Sequence, residues 1–152
     1  EHREVTTVSR ARVLTRRRAR DGRSNQTRKV QEMIILNIEP KATPRPRVAR
    51  NRAYYPKSYT QWKKTAKSLL PPLQPPTGRI HVCFVFKRPQ RLKKGPRQPH
   101  DKRPDLDNLV KSVFDLFDFD DGIISQFSAE KVYAGSDETP RIEIHWSDDG
   151  EI

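Results

Sequence analysis

Cysteine is nearly absent from this sequence. Cys83 stands alone among 152 residues, so no intramolecular disulfide can form and no cysteine-based zinc site can be built. Long apolar runs are missing as well. None approaches the ~18 residues that a membrane span requires, and residues 1–30 lack the apolar core of a secretory signal. Hydrophobic residues make up only 33% of the chain and aromatic residues 8%. The core is therefore small, and a monomer of this size is marginally stable, a deficit that oligomerisation commonly offsets. Acidic residues are scarce in one region above all. Residues 33–100 contain a single acid, Glu39, against sixteen Lys and Arg.

Positive charge is abundant instead. The net charge is +12 and the pI is about 10.2, a balance that points to anionic partners, phosphate backbone first among them. Charge alone does not separate a nucleic-acid binder from an enzyme. Its distribution says more. Residues 1–32 carry ten basic and four acidic residues, whereas residues 101–152 carry five basic and fourteen acidic ones. A protein that only neutralises phosphate gains nothing from so many carboxylates, while a nuclease needs a few of them to hold metal.

Thirteen prolines and a mean hydropathy of −0.93 indicate loops or tails. Residues 1–32 read as a basic, disordered tail whose Arg16-Arg17-Arg18 run has no apolar periodicity. The run Met33–Glu39 reads as a buried strand ended by Pro40. After a Pro-broken basic loop and Tyr54-Tyr55-Pro56, Ser58 is a candidate N-cap for a helix reaching about Leu70, where Pro71-Pro72 stops it. Arg79–Phe86 alternates as a strand, with Ile80, Val82, Phe84 and Phe86 on one face. Residues 87–103 form a long basic loop. Leu106, Leu109, Val110, Val113, Phe114 and Phe117 fall on one helical stripe, with Asp105 placed to cap it. Asp120-Asp121-Gly122 is a turn, and strands follow near Phe127–Tyr133 and Arg141–Trp146. Interleaved strands and helices predict an α/β or α+β class, with one domain over 33–147 and an acidic end at 148–152.

The chemistry concentrates in Asp105-Leu106-Asp107-Asn108-Leu109-Val110-Lys111 and in Asp120-Asp121. Phosphodiester hydrolysis near neutral pH requires an activated water and a counter-charge, both of which a divalent ion supplies. Magnesium prefers carboxylate oxygens and water. Asp105 and Asp107 flank a helix start, and Lys111 lies one turn further on the same face. Capping by Asp105 and a Lys111–Asp115 pair are the plainer readings. His81, His100 and His145 show no metal-ligand spacing, Cys83 reads as a buried small hydrophobe, and Trp62 and Trp146 read as core or interface residues. Tyr54 and Tyr55 are as compatible with packing as with base stacking.

The segment Pro104-Asp-Leu-Asp-Asn-Leu-Val-Lys111, then Phe114-Asp115 and Asp120-Asp121 before an apolar strand, resembles the RusA family of Holliday junction resolvases. The likeness runs from about Met33 to Trp146. It implies a homodimer with a mixed sheet and flanking helices, acting on branched four-way DNA in recombination and repair. It further implies magnesium, with manganese as a substitute, held by Asp105, Asp107 and Asp121, and a catalytic role for Lys111. The stretch from Asp115 to Asp120 is shorter than the family pattern and lacks its glycine, which leaves Asp120 as the alternative to Asp121. Lys41, Arg45, Arg47, Lys93, Lys94 and Arg97, in the two Pro-broken basic loops, are the candidate DNA-backbone contacts. A cytoplasmic or nucleoid-associated location fits this reading, with organellar targeting by the Arg-rich start as the alternative. A non-catalytic DNA- or RNA-binding protein of degenerate fold is the competing function. A restriction-like nuclease is disfavoured, because Ala129-Glu130-Lys131 lacks the residue required between Glu and Lys.

Overall fold

A computed structural model describes residues 12–17, 30–72 and 77–147, with side chains over 33–72 and 77–147. Six strands form one sheet in the order β1-β2-β8-β5-β7-β6, and β3 and β4 form a separate hairpin. The strands are β1 (Arg12–Arg17), β2 (Val30–Leu36), β3 (Arg47–Ala49), β4 (Arg52–Tyr54), β5 (Arg79–Phe86), β6 (Gln98–Pro99), β7 (Gln126–Tyr133) and β8 (Arg141–Trp146). Two helices, α1 (Lys57–Leu69) and α2 (Leu106–Phe114), complete the fold. The sheet is mixed, because β5 and β7 pair in parallel while every other ladder is antiparallel. The class is α+β.

The alternation of β5 fixes the layers. Ile80, Val82 and Phe84 pair with Trp146, Ile144 and Ile142 of β8, and all six are buried on one face. Ile34 and Leu36 of β2, Ala66 and Leu69 of α1, and Leu109, Val110 and Val113 of α2 join the same cluster. Both helices thus cover one side of the sheet. On the other side Cys83 and Val85 form a small second cluster with Ala134. Burial pushes the Cys83 thiol up to about 12, as befits a buried small hydrophobe.

Several boundaries differ from the sequence reading. The segment read as a tail contributes β1 and the start of β2. Val13-Leu14-Thr15 is strand-forming, and its arginine neighbours suit an edge strand, which charge protects from further pairing. The acidic end at 148–152, Arg18 and the rest of the presumed tail lie outside the described residues. Helix α1 is capped by Pro56 rather than Ser58, with no side-chain cap. The Pro56 carbonyl accepts from the amides of Tyr59 and Thr60 at 3.0 and 3.2 Å. Leu70 is extended, as a residue before proline must be. Phe117 packs in the core beyond the end of α2, because the chain leaves the helix at Asp115 but keeps its apolar side inward.

The connection from β5 to β7 positions the site. Parallel neighbours need a crossover, and α2 provides it. Such a helix runs back against its strands, so its N-terminus sits at their C-terminal end.

Candidate metal centre and nucleic-acid interface

Helix α2 begins where its sequence changes from basic loop to apolar stripe. Asp105 is extended, with φ −71° and ψ 145°, and its carbonyl accepts the Leu109 amide at 3.2 Å. Its carboxylate makes no capping hydrogen bond, which removes the plainest alternative reading of this residue. Asp107 lies in the first helical turn, and its Oδ1 accepts the Asn108 amide at 2.9 Å. Both aspartates are exposed. Negative charge at this position is favoured by the helix dipole. Neither carboxylate forms an ion pair with any described residue.

The approach to Asp105 is held by a residue that the motif did not single out. Lys131 of β7 donates its Nζ hydrogens to the carbonyls of Lys102 and Pro104, at 2.5 and 2.7 Å. Its signal in the sequence was only a lysine on a strand otherwise half apolar. Beside it, His100 packs between Phe86 and Tyr133 at 4.3 and 4.5 Å between ring centres. Burial, and then the Lys131 charge, lowers its pKa. Asp101 accepts from the Tyr133 hydroxyl at 3.1 Å, and that bond holds its carboxyl below the usual range.

Asp121 sits elsewhere. It opens a 3₁₀ turn, Asp121–Ile123, that leads into β7. The Ser125 amide bonds the Gly78 carbonyl at 2.9 Å. A Cβ at Gly78 would meet the Ile123 carbonyl at 2.6 Å, so glycine is what lets this turn lie against the start of β5. Phe114, at the end of α2, touches Phe127 at the start of β7, 5.8 Å between centres. Asp105 and Asp107 therefore lie at one end of α2, and Asp121 follows the other. A nine-residue helix spans about 13 Å. Accordingly, among the described residues no three His, Cys, Asp or Glu side chains are grouped so as to hold an ion. Two of the three expected ligands thus share the N-terminal end of α2, and the third follows its C-terminal end. Asp120 spends its Oδ1 on the Gly122 amide at 2.9 Å, whereas the exposed Asp121 carboxylate has no comparable tie among the described residues.

Lys111 is exposed in the last turn of α2. The expected pair with Asp115 is not formed. Asp115 instead accepts from the buried Tyr59 hydroxyl at 3.3 Å, which also bonds Thr43 Oγ1 at 3.1 Å. Thr43 ties the first basic loop to α2 again, through its amide and the Asn108 carbonyl at 3.1 Å.

Of the expected DNA contacts, Arg45, Arg47, Lys93 and Lys94 are exposed and Lys41 is half-buried. Arg97 is not available. Its guanidinium donates to Glu138 at 2.8 Å and to Glu143 at 2.7 Å, and Arg141 reaches the same two carboxylates. Two bidentate carboxylates take four of the five guanidinium donors, and the fifth faces Cys83 Sγ at 3.7 Å, so little is left for phosphate. Sequence spacing does not show this, because both acids lie more than forty residues downstream, Glu138 in the β7–β8 turn and Glu143 on β8. Arg88 folds the same loop, donating to the carbonyls of Pro96 and Ala134 at 2.9 and 3.0 Å and to that of Lys93. Two of the three described histidines meet at the start of β5, while His100 lies at its other end beside Phe86. His81 pairs across the ladder with His145 and hydrogen-bonds Ser128 at 2.6 Å and Glu130 at 3.0 Å. Trp62 bonds the Glu39 carbonyl at 2.9 Å, and Trp146 is fully buried. No described helix is long and apolar enough to cross a membrane.

Comparison with curated proteins finds no match. Comparison with protein families does. Residues 37–146, well over half of the chain, match the family described as endodeoxyribonuclease RusA, a range that begins just after β2 and takes in β3 to β8, both helices and the aspartates at 105, 107 and 121. The chain belongs to the RusA endodeoxyribonuclease family.

Proposed function

We propose that this protein is a magnesium-dependent endonuclease that resolves four-way DNA junctions by paired phosphodiester hydrolysis. One observation carries the reading. Asp105 and Asp107 stand exposed and without basic partners at the C-terminal end of the parallel strand pair, the end at which open sheets with crossover helices bind ligands. Magnesium is commonly held by one or two carboxylates together with substrate phosphate, so the chemistry of this pair fits the ion, and manganese as a substitute.

When bound, the metal supplies charge stabilisation at the phosphoryl group and a water acidified toward neutral pH. The chain does the rest. Asp107, with one oxygen fixed by the Asn108 amide, presents the other outward. Lys131 fixes the backbone that carries Asp105. Lys111, lacking a carboxylate partner among the described residues, offers its ammonium to charge building on the phosphate oxygens. Lys41, Arg45, Arg47, Lys93 and Lys94 hold the DNA backbone. The catalytic domain occupies residues 33–147, with β1 extending its sheet, in a cytoplasmic or nucleoid-associated protein.

The separation of Asp121 from Asp105 supports a homodimer in which Asp121 of a second copy completes the ligand set. A two-fold dimer suits a junction of near two-fold symmetry, placing two equal sites on opposing strands. Asp121 also neighbours Ile123 and Phe127, two of the few large hydrophobic side chains left about half exposed, as a contact between copies would require.

The test is a purified protein, a synthetic four-way junction and magnesium. Paired nicks that yield linear duplexes are expected, and Asp107→Asn should abolish them while sparing junction binding. Binding without cleavage by the wild-type protein, with magnesium or manganese, would refute the reading and favour a non-catalytic DNA-binding protein.

A further inference from the structure

The β3–β4 hairpin is left unexplained by the metal site. Its register pairs Arg47 with Tyr54, Val48 with Ala53 and Ala49 with Arg52. The two linking residues, Arg50 and Asn51, both have positive φ, 52° and 61°. That is a two-residue turn of the type whose twist matches the flanking strands. No strand of the main sheet pairs with this ribbon. All six strand residues are exposed, so neither of its faces is buried in the core among the described residues. Val48 is 74% exposed and Tyr54 47%. They lie on opposite faces, since directly paired residues share a face and successive ones alternate. A lone two-stranded ribbon is marginally stable in water, and leaving apolar groups on both sides of one has no structural benefit.

The ribbon is also strongly basic. Arg45, Arg47, Arg50, Arg52 and Lys57 fall within or beside it, with no acid between residues 40 and 100. Its root is fixed next to the candidate metal centre. The loop leading into it bonds the first turn of α2 through Thr43 and Asn108. Tyr55, just after it, makes an edge contact with the buried Tyr59 at 5.3 Å. A cationic ribbon with an apolar group on each face, rooted beside Asp107, fits a substrate that can touch both faces at once. A continuous duplex offers one side. The opening between the arms of a branched DNA offers two, together with bases whose stacking is already interrupted.

We propose that the β3–β4 hairpin enters the branch point of the DNA, where Tyr54 and Val48 cover unstacked bases while the flanking arginines bind the converging phosphates. The inference rests on the nuclease reading above. Stacking of a base on an aromatic ring is sequence-tolerant, so this contact selects for branch structure rather than for sequence.

The test uses the full chain with calcium in place of magnesium, so that cleavage is held off. The probe is a four-way junction carrying 2-aminopurine at the branch point, whose fluorescence rises on unstacking. Wild-type protein should raise the signal. The double variant Val48→Ser/Tyr54→Ala, which leaves every charge in place, should lose most of that rise and about tenfold in junction affinity, the order expected for loss of a stacked base. Its affinity for linear duplex and its melting temperature should be unchanged. A variant that keeps the fluorescence rise and the junction preference would overturn the proposal. So would a wild-type protein that cuts junctions without any rise. A wild-type protein that binds neither junction nor duplex would instead overturn the nuclease reading on which the proposal stands.

Discussion

Mixing two inactive variants should restore activity if the metal site is shared between copies. Asp105 and Asp107 stand at the N-terminus of α2, and Asp121 follows its C-terminus. Ligand oxygens around magnesium must lie about 2.0–2.1 Å from the ion, whereas the helix alone separates its ends by about 13 Å. No side-chain rotation closes such a gap. Consider Asp107→Asn and Asp121→Asn, each inactive as a homodimer. In a heterodimer, one site combines both defects and the other combines neither. Random mixing of a two-fold dimer makes about half of the dimers mixed, each with one intact site of two, so the mixture should recover about a quarter of the wild-type nicking rate. The products should be single nicks rather than paired ones. The assay is junction cleavage after co-expression with two affinity tags. Manganese binding to the purified heterodimer, with one tight site per dimer, provides a readout independent of turnover. If the heterodimer neither cuts nor gains a tight manganese site while both parents fold and dimerise, the shared site is wrong.

Three further outcomes follow from the same geometry. Lys111→Ala should slow cleavage by about the 2.7–4 kcal/mol that a lost transition-state donor costs, and saturating magnesium should not restore the rate; full rescue by magnesium would reduce Lys111 to a support for the metal site. Lys131→Met removes both hydrogen bonds to the Lys102 and Pro104 carbonyls, so junction cleavage and manganese affinity should fall together while the melting temperature changes little. Arg97→Ala removes one of the two guanidinium partners of Glu138 and the mostly buried Glu143, leaving Arg141, and should cost about 1 kcal/mol in urea unfolding, the low end for charged hydrogen bonds because Arg141 and partial exposure offset the loss. Arg97 also holds the Glu138 carboxyl down to about 2. A depressed folded-state pKa stabilises above the unfolded value near 4.5 and is lost as pH falls toward 2, so the cost of Arg97→Ala should shrink between pH 7 and pH 3; an equal cost at both would refute this account.

Much of this fold is legible from periodicity. The alternation of β5 and the stripe of α2 were read correctly because each buries one face against the same core, and burial is what imposes period 2 or 3.6 on a sequence. The same reasoning missed β1. An edge strand tolerates charged residues, which discourage further pairing, so an apolar pattern is not required of it. Ser58 was mistaken for a cap because its side chain suits the role, but Pro56 already sets the backbone that starts α1. Arg97 reads as a DNA contact in the sequence because basic loop residues usually face solvent, whereas its guanidinium is engaged by Glu138 and Glu143. Whether such a residue faces outward depends on acids distant in the chain, and Glu138 and Glu143 come near it only once β8 has paired with β5.

The candidate site shows a stricter limit of the same kind. The Asp-x-Asp spacing at 105 and 107 is local, and it places both acids at the start of α2 in any copy of the chain. The distance from Asp107 to Asp121 is not local, and a motif records only the order of residues, not the end of the element on which each falls. Crossover topology decides that end. Since α2 must run back against β5 and β7 to join them in parallel, an acid before it and an acid after it are sent to opposite ends of the sheet. A motif that requires all three acids in one metal site is therefore also a statement about how many chains build that site. The polarity of α2 within the sheet is thus the structural support for the proposed second copy, which the mixing experiment tests directly.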